Sequence, residues 1–205
     1  MKIGIDMDDV LVHFIPEVLE YHNKTYGTKV TMSDVKDYSL AKIWGCSEKE
    51  SNRRIEEFYR SNTFKQLSPI QGAVDGVKKL QRMGHQLELI TSRPEYLRDI
   101  SLVWINKHIP DVFNELHFVN SFTDYGVKRK KSEVCVERNI DLHIDDHLFH
   151  ANDCASQGVK VLLFDQNYGW NQSLSLRQEI KRVHSWDNIV TAVKRKESTI
   201  SFVYA

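Results

Sequence analysis

Short apolar runs recur along the chain, and each run ends in polar residues that lead towards a helical pattern. The runs are residues 3–5, 86–91, 116–119, 141–145 and 159–164. Apolar runs of this length, without strict alternation, are typical of strands that are buried on both faces of a sheet. Strands that alternate with helices predict an α/β fold in which a parallel sheet is covered by helices on both faces.

Two of the intervening segments have clear helical periodicity. Residues 73–85 place apolar side chains at helical intervals, and Gly84 is a suitable stop. Residues 94–108 begin with Pro94, which is favourable in a first turn. The apolar positions of these two predicted helices are Val74, Val77, Leu80 and Met83 in the first, and Leu97, Ile100 and Trp104 in the second.

Roughly eighty residues separate the first apolar run from the second, which is far more than one crossover helix needs. Residues 14–27 have a helical pattern that ends at Gly27. Residues 47–61 have another, with Ser47 and Glu50 spaced as a capping box. We therefore predict that the chain inserts extra helices between its first two strands.

The boundaries of this insertion can be placed approximately. We predict a helical cap over residues 14–67, inserted into a catalytic core formed by residues 1–13 and 68–205. Pro69 and Gly72 mark the return of the chain to the core. In parallel sheets the ligand binds at the carboxyl ends of the strands. A cap that follows the first strand is expected to arch over those ends.

Composition narrows the classes of function. The chain has 205 residues, of which 28 are Lys or Arg and 28 are Asp or Glu, so its formal net charge is zero. This balance argues against a general binder of nucleic acid or membrane surfaces. No apolar stretch is long enough for a membrane span, and acids interrupt the first apolar run. The three cysteines, Cys46, Cys135 and Cys154, suit reduced thiols in a cytoplasmic protein.

Acidic side chains follow two of the predicted strands. Asp6 and Asp8 come after the first, and Asp145 and Asp146 come after the fourth. Such a concentration of negative charge is unfavourable unless a cation lies among the carboxylates. A hard divalent cation fits oxygen ligands, and Mg²⁺ fits better than a transition metal because no histidine or cysteine pairs with these acids at ligand spacing.

A hydroxyl and a basic run also lie near the strand ends, and they suit a phosphate group. Thr91 or Ser92 could supply a hydroxyl and backbone donors, and Lys131 could neutralise phosphate oxygens. Asp6 could then attack phosphorus and form an aspartyl-phosphate. Asp8 could protonate the departing alkoxide and later deprotonate the hydrolytic water.

Four motifs in order, "DMDDVL", "LITSRP", "KKSEVC" and "HIDDH", resemble those of the haloacid dehalogenase superfamily of phosphotransferases. Within it, "DMDDVLVHF", "VLLFDQNYGWNQ" and "RVHSWDNI" resemble segments of the 5'(3')-deoxyribonucleotidase family. The resemblance covers most of the chain, and the cap matches least well. It implies a Rossmann-like core and a Mg²⁺-dependent phosphomonoesterase.

The resemblance also implies roles for individual residues. Asp6 matches the nucleophile and Asp8 the general acid/base, while Thr91, with Ser92 beside it, matches the phosphate-binding hydroxyl. Lys131 matches the lysine, although Lys128 or Lys130 could serve by position. The magnesium ligands implied by the family are Asp6, the backbone carbonyl of Asp8, and one or both of Asp145 and Asp146.

Two residues depart from the family pattern. Asp9 stands where this superfamily usually has glycine, which eases a tight turn. His147 follows the acidic pair, where the nucleotidases tend to have arginine. His143, His147 and His150 lie near the same acids and raise the alternative of a zinc site. Since His143 is predicted within a strand and His147 beyond it, packing or surface roles are the better interpretation.

Aromatic side chains in the cap are candidates for binding a nucleobase. Phe14 lies six residues after Asp8, at the position of the family aromatic, and Trp44 lies beside a glycine. Base–aromatic stacking is favourable by about 1–3 kcal/mol per base in single-strand binders. We predict Phe14 and Trp44 as substrate contacts, although aromatic residues at helical spacing are more often part of a core.

The sequence thus predicts a cytoplasmic 5'-nucleotidase that acts on (deoxy)ribonucleoside monophosphates. A second interpretation keeps the chemistry and changes the substrate to a sugar phosphate or another small metabolite. A third interpretation is a receiver-like signalling domain, because such domains also have acids, a hydroxyl and a lysine at their strand ends. A binuclear metallohydrolase with histidine ligands is a fourth possibility. No nucleic-acid or membrane partner is expected, and the sequence leaves the oligomeric state open.

Overall fold

The computed structural model of the protein describes residues 1–36, 39–121, 127–173 and 175–201. Its strands are β1 (Lys2–Ile5), β2 (Gln86–Thr91), β3 (Glu115–Phe118), β4 (Leu142–Asp145), β5 (Lys160–Phe164) and β6 (Ile180–Val183). They form one sheet in the order β3-β2-β1-β4-β5-β6, and every neighbouring pair is parallel. The predicted fold class, a Rossmann-like parallel sheet with helices, is confirmed.

The five predicted strands are all present, and their ends agree with the prediction to within a residue. The sixth strand, β6, was not predicted. Its sequence, "IKRV", is only four residues long and has a buried residue at each end with two polar residues between them. Such a pattern is typical of a strand at the edge of a sheet, and it gives a weak signal in the sequence.

β1 occupies the middle of the sheet, between β2 and β4. Gly4 allows the close packing of this strand, since a Cβ atom there would lie 2.8 Å from Ile90 Cδ1 and 2.9 Å from His143 Nδ1. The central position of β1 brings the residues after Ile5 between the ends of its two neighbours.

The helices are α1 (Ile15–Tyr26), α2 (Leu40–Trp44), α3 (Glu48–Arg60), α4 (Asn62–Lys65), α5 (Ala73–Arg82), α6 (Arg98–His108), α7 (Lys131–Glu137), α8 (Leu148–Ser156) and α9 (Trp186–Ser201). Short 3₁₀ turns cover Met32–Asp34, Glu95–Leu97 and Gly169–Asn171. The predicted helix over 94–108 therefore starts as a 3₁₀ turn before α6. None of the described helices is both long enough and apolar enough to cross a bilayer.

Helices cover the sheet through two hydrophobic clusters. One cluster contains side chains of α5, α6 and α9 together with Ile3 and Ile5 of β1. The other contains side chains of α7 and α8 together with Ile90, Val161 and Leu163. Because alternate residues of a strand point to opposite faces, the continuous apolar runs supply both clusters.

Residues 14–67 contain α1 to α4, as the helical pattern predicted. The Ser47 hydroxyl caps α3 by accepting a hydrogen bond from the Glu50 backbone N–H. The reciprocal half of the predicted capping box is wrong, because the Glu50 carboxylate instead accepts hydrogen bonds from Arg53 and Arg54, at 2.7–2.8 Å. Two arginines within one helical turn of Glu50 offer stronger, charge-assisted bonds.

The insertion is entered and left by two segments that lie side by side. Val12 and Pro69 form an antiparallel bridge. On either side, His13 N–H donates to Ser68 O at 3.0 Å and Ile70 N–H donates to Leu11 O at 2.9 Å. This two-stranded connection coincides with the predicted boundaries at 13/14 and 67/68. The division into core and cap itself stays a prediction.

Trp186, the first residue of α9, reaches across the molecule to the segment after β1. Its indole N–H donates to the backbone carbonyl of Val10 at 2.9 Å, and its side chain is 1% exposed. Gly76 of α5 makes room for it, since a Cβ atom there would lie 2.4 Å from the Trp186 ring. This bond anchors the turn that carries Asp8 and Asp9.

Candidate active site

The carboxyl ends of β1, β2 and β4 meet at one edge of the sheet, as parallel neighbours must. Asp6 follows β1 and is held there by its backbone N–H, which donates to Ile144 O at 3.0 Å. Thr91 and Asp145 are the last residues of β2 and β4. Groups that are far apart in the sequence therefore share one small region.

Lys131 joins the two acidic motifs. It is the first residue of α7, and its side chain is 1% exposed. Its ammonium nitrogen lies 2.9 Å from Asp6 Oδ1 and 2.7 Å from Asp145 Oδ2. Lys128 and Lys130 are exposed, and the ammonium group of Lys130 lies 3.5 Å from Asp153 Oδ1. The structure thus brings Lys131, and not its neighbours in the basic run, to Asp6.

Asp145 is fully committed to hydrogen bonds within the protein. Its Oδ2 accepts from Lys131 and, at 3.0 Å, from the His143 ring, while its Oδ1 accepts from the His147 backbone N–H at 2.9 Å. Burial by itself raises the pKa of Asp145, but Lys131 and the hydrogen bond from His143 hold it well below the usual range. Asp145 is therefore a carboxylate that fixes Lys131 in place.

Asp146 differs from its neighbour. It is 2% exposed and lines a cavity, yet its Oδ2 is a buried oxygen without a hydrogen-bond partner in the described part of the chain. Burial, together with the charges of Asp145, Asp9 and Asp6, raises the pKa of Asp146 well above its usual range. An orphaned buried oxygen of this kind is costly unless a cation or donor binds it.

Asp6 shares this electrostatic problem. Burial and the charges of Asp145 and Asp8 raise the pKa of Asp6 to about 6, although Lys131 opposes the shift. Carboxylate oxygens of Asp6, Asp145 and Asp146 all lie within 4.8 Å of one another. The cluster contains three carboxyl groups and only one lysine, Lys131, so negative charge is in excess. Oδ2 of Asp146 is also available to bind a cation. These residues fit a hard divalent cation such as Mg²⁺.

Asp8 is held by an arginine that the sequence analysis did not single out. Arg93 donates from Nε to Asp8 Oδ2 at 2.9 Å and from Nη2 to Asp8 Oδ1 at 2.6 Å. Arg93 is in turn fixed by Ser101 of α6, at 2.8 Å, and packs its guanidinium 4.7 Å from the ring centroid of Phe64 in α4. A paired fork of this type sets the orientation of the carboxylate.

The two hydroxyls at the end of β2 have different surroundings. Thr91 is fully buried, and its hydroxyl accepts the Arg93 backbone N–H at 3.2 Å. Ser92 lines the cavity, and its hydroxyl lies 3.3 Å from His150 Nε2. Thr91 shapes the turn after β2, while Ser92 is the hydroxyl that the structure brings to the cavity.

Asp9 occupies the glycine position of the motif in a left-handed conformation, with φ of 54°. Its carboxylate accepts the backbone N–H groups of Phe14 and Ile15, at 3.1–3.2 Å, and so caps the start of α1. Aspartate tolerates positive φ better than most residues. The departure from glycine thus adds a tie between the motif and the insertion.

The histidines near the acidic pair have separate positions, as predicted. His143 lies within β4, whereas His147 precedes α8 and caps it by accepting the Phe149 backbone N–H at 3.1 Å. Burial lowers the pKa of His147 to about 4 and that of His150 to about 3. In the described residues the three histidines do not form one cluster of metal ligands.

A cavity of about 480 Å³ opens between the strand ends and the insertion. Asp6, Asp8, Arg93 and Lys131 lie on its strand-end side. The side formed by the insertion includes Phe14, Leu40, Ser51, Asn52, Ile55 and Tyr59. The cavity therefore has a charged floor and an upper wall that combines apolar with polar side chains.

The two aromatic candidates for base contact differ in position. Phe14 lines the cavity and packs edge-on against Phe58, with ring centroids 5.7 Å apart. Trp44 is not among the described residues of the cavity wall, because its indole stacks on His22 of α1 at 4.3 Å, within the insertion. The Trp44 ring thus packs between helices in the described structure, which does not favour the predicted substrate contact.

Sequence reasoning missed Arg93 and Tyr59. Arg93 was visible in "LITSRP", as a charge placed just after a strand end, but its partner Asp8 lies 85 positions away. Tyr59 lies on α3 among other aromatic residues, and nothing local shows that it faces the cavity. Burial raises the pKa of the Tyr59 hydroxyl, and the charge of Asp8 adds to that effect.

Several solved structures share this architecture. A haloacid dehalogenase-like family hydrolase from Streptococcus pneumoniae superposes with a TM-score of 0.67 at 12% identity, covering 94% of this chain and 97% of that chain. Identity at this level concerns the fold. The family model that matches residues 1–197, together with the four motifs gathered at this edge of the sheet, defines the protein as a haloacid dehalogenase-like enzyme.

Comparison of the sequence with known families assigns the protein more narrowly within this class. Residues 1–197 match the family described as 5' nucleotidase, deoxy (pyrimidine), cytosolic type C protein, and the chain belongs to this family. Bacillus subtilis YqfW, provisionally named a nucleotidase, is 27% identical over 91% of this chain and 90% of its own length. An Oceanobacillus iheyensis protein with a similar provisional name is 22% identical, over 93% and 97%. The protein is thus a phosphatase of the nucleotidase type, which favours an enzyme over the receiver-like alternative.

Proposed function

We propose that the protein hydrolyses nucleoside 5'-monophosphates, of ribose or deoxyribose, through an aspartyl-phosphate formed on Asp6. The observation that carries the proposal is the pairing of Asp6 with Lys131 on the floor of a cavity whose wall includes Phe14 and Tyr59. The charged floor suits a phosphate group, and the aromatic wall suits a base.

Mg²⁺ is the proposed cofactor, and Asp6, the backbone carbonyl of Asp8 and Asp146 would hold it. The free oxygen of Asp146 supports its role as the direct ligand, because both oxygens of Asp145 already accept hydrogen bonds. When bound, the cation would neutralise charge on the phosphate and on Asp6. Asp145 would act by fixing Lys131.

Asp6 is the proposed nucleophile. Its carboxylate oxygen forms a bond to phosphorus while the bond from phosphorus to the ester oxygen breaks. Lys131 stabilises the charge on the phosphate oxygens as they approach a carboxylate. Ser92, which lines the cavity, offers a hydroxyl to the same oxygens, and the turn fixed by Thr91 directs Ser92 towards them.

Asp8 is the proposed proton carrier. It donates a proton to the departing alkoxide, and as a carboxylate it then takes a proton from the water that attacks phospho-Asp6. Hydrolysis restores Asp6 and releases phosphate. Since Arg93 binds both oxygens of Asp8, one of these bonds gives way when Asp8 meets the substrate.

The insertion of residues 14–67 is the proposed cap, and it supplies contacts to the part of the substrate beyond the phosphate. Phe14 and Tyr59 are the aromatic candidates on its cavity face. Polar side chains on the same face favour a second candidate, a sugar phosphate, whose hydroxyls they could bind. These are Ser39, Glu48, Ser51 and Asn52.

The test is phosphate release from a panel of nucleotides and sugar phosphates, each measured with Mg²⁺ and with EDTA. We expect nucleoside 5'-monophosphates to have the highest kcat/KM and EDTA to abolish turnover. A preference for sugar phosphates would move the assignment to the second candidate. We also propose a cytoplasmic location, which the three free cysteines support.

A further inference from the structure

A cluster of soft ligand atoms lies outside the cavity, beneath α7 and α8. It consists of Cys135 on α7, His143 on β4 and Cys154 on α8, and each of these residues is fully buried. One ligand atom from each residue lies within 4.8 Å of those of the other two. None of these three side chains is among the residues that line the cavity, and the proposed phosphatase chemistry gives the two cysteines no role.

The His143 ring has one nitrogen engaged and one left over. Its Nε2 lies 3.0 Å from Asp145 Oδ2, and since an ionised carboxylate can only accept, Nε2 carries the proton. Nδ1 is buried and has no hydrogen-bond partner among the described residues. A metal-binding histidine typically donates its other ring N–H to a carboxylate, which fixes the ring and raises its basicity. That supporting contact is already present.

We propose that Cys135, His143 and Cys154 form a second metal site, which binds Zn²⁺. Two sulfurs and one imidazole nitrogen match the ligand preference of zinc, and three protein ligands leave a fourth position open. On binding, each thiol releases its proton and donates a sulfur electron pair to the ion. Two thiolates balance the two positive charges, so the occupied site adds no net charge to the core.

The two proposed metal sites differ in chemistry. The Asp6, Asp145 and Asp146 cluster offers only oxygen ligands and suits a hard cation, whereas the Cys135, His143 and Cys154 cluster suits a thiophilic one. Asp145 links the two clusters, because its carboxylate belongs to the first, accepts a hydrogen bond from Lys131, and accepts another from His143 of the second. Contact with Cys135 and burial both raise the pKa of Cys154, so this thiol keeps its proton until a cation replaces it.

Cobalt(II) is the probe, because a cobalt–thiolate bond gives charge-transfer absorption that oxygen ligands do not give. Because the cluster is buried, the full-length protein is unfolded in denaturant with a reductant and refolded without oxygen in stoichiometric Co²⁺. We expect the thiolate band in the wild type and its disappearance when Zn²⁺ is added. Metal content after desalting measures the stoichiometry independently.

Matched variants locate the ligands. Cys154→Ser should lose the thiolate band, whereas Cys46→Ser, which changes the half-buried cysteine of the insertion, should retain it. Asp146→Asn should also retain the band, since it alters only the oxygen cluster. Circular dichroism checks that each variant has refolded, and Cys135→Ser replaces Cys154→Ser if the latter does not.

Absence of the band in refolded wild-type protein would overturn the proposal and leave a pair of buried thiols beside a histidine. A band that survives in the folded Cys154→Ser variant, or in Cys135→Ser where that replaces it, would also overturn the proposal, as would a band lost in Cys46→Ser. These readouts do not depend on turnover. Failure of the zinc site therefore leaves the proposed phosphatase function untouched, and failure of the phosphatase assay leaves the zinc site untouched.

Discussion

Replacement of Asp6 by asparagine is expected to leave the protein folded but to remove its phosphatase activity. Asp6→Asn keeps the size of the side chain and removes the oxygen nucleophile, so turnover with Mg²⁺ should fall by several orders of magnitude. Steady-state phosphate release from the best nucleotide of the panel measures this. Retention of more than a few per cent of the activity would contradict the covalent role.

The stability of the same variant provides the control. Burial raises the pKa of Asp6 to about 6, so the folded state holds the charged form unfavourably at pH 8. In EDTA, Asp6→Asn should therefore be more stable than the wild type at pH 8, by on the order of 2–3 kcal/mol. As the pH falls through 6 the folded wild type takes up a proton, its stability rises, and the difference should shrink. Urea unfolding at several pH values measures it.

Arg93 is expected to act through Asp8. Arg93→Ala removes the fork that orients Asp8, so kcat for a nucleotide should fall roughly ten-fold or more. The loss should be smaller for p-nitrophenyl phosphate, whose leaving group needs little protonation. Arg93→Lys should recover part of the activity, because lysine keeps the charge but not the paired geometry.

Arg98→Ala is the matched control for this prediction, since Arg98 pairs with Glu95 and packs on Phe118, away from the cavity. It should leave the ratio between the two substrates unchanged. Equal losses on both substrates in Arg93→Ala would assign Arg93 to phosphate binding rather than to the positioning of Asp8.

At the scale of elements, Asp9 fastens α1 to the turn after β1. Asp9→Ala loses two capping bonds and places alanine at a φ of 54°, so we expect a loss of about 2 kcal/mol in the free energy of unfolding. Asp9→Gly loses the cap but meets no backbone strain, and it should be less destabilised. Urea denaturation ranks the two variants. If alanine is no worse than glycine, strain at this position is unimportant.

Phe14 lies where α1 begins and faces the cavity, so its role can be separated from that of a purely structural aromatic residue. Phe14→Ala should raise KM for a nucleoside monophosphate roughly ten-fold and change KM for p-nitrophenyl phosphate little. Trp44→Ala is the control, since Trp44 stacks on His22: it should lower stability without a substrate-dependent change in KM. A uniform loss in Phe14→Ala would mark this residue as part of the insertion's core.

The elements that sequence predicted well are those whose signal is local. Residues 86–91 form a run long and apolar enough to identify β2, whereas β6 is short and half polar at the sheet edge. Asp6 and Lys131 could be placed because each stands at a strand or helix end within a motif. The pairing of Arg93 with Asp8 and the stacking of Trp44 depend on packing between distant segments, which periodicity does not contain.

On the scale of the whole molecule, the acidic cluster is a site of unfavourable charge that a cation should relieve. We expect Mg²⁺ to raise the Tm of the wild type relative to EDTA, because an ion that binds only the folded state stabilises it. Asp146→Asn should show little or no Mg²⁺-dependent shift, since it alters the proposed direct ligand. An equal shift in both proteins would place the cation elsewhere.

The bond from Trp186 to Val10 has a consequence for how the enzyme is made. A ribosome releases residue 10 early and residue 186 late, so the turn that bears Asp8, the proposed proton carrier, lacks this anchor until most of the polypeptide has been made. A chain halted part-way through translation can pair its first strands while that turn stays untethered. We therefore expect the position of Asp8 to become fixed only after α9 has been synthesised.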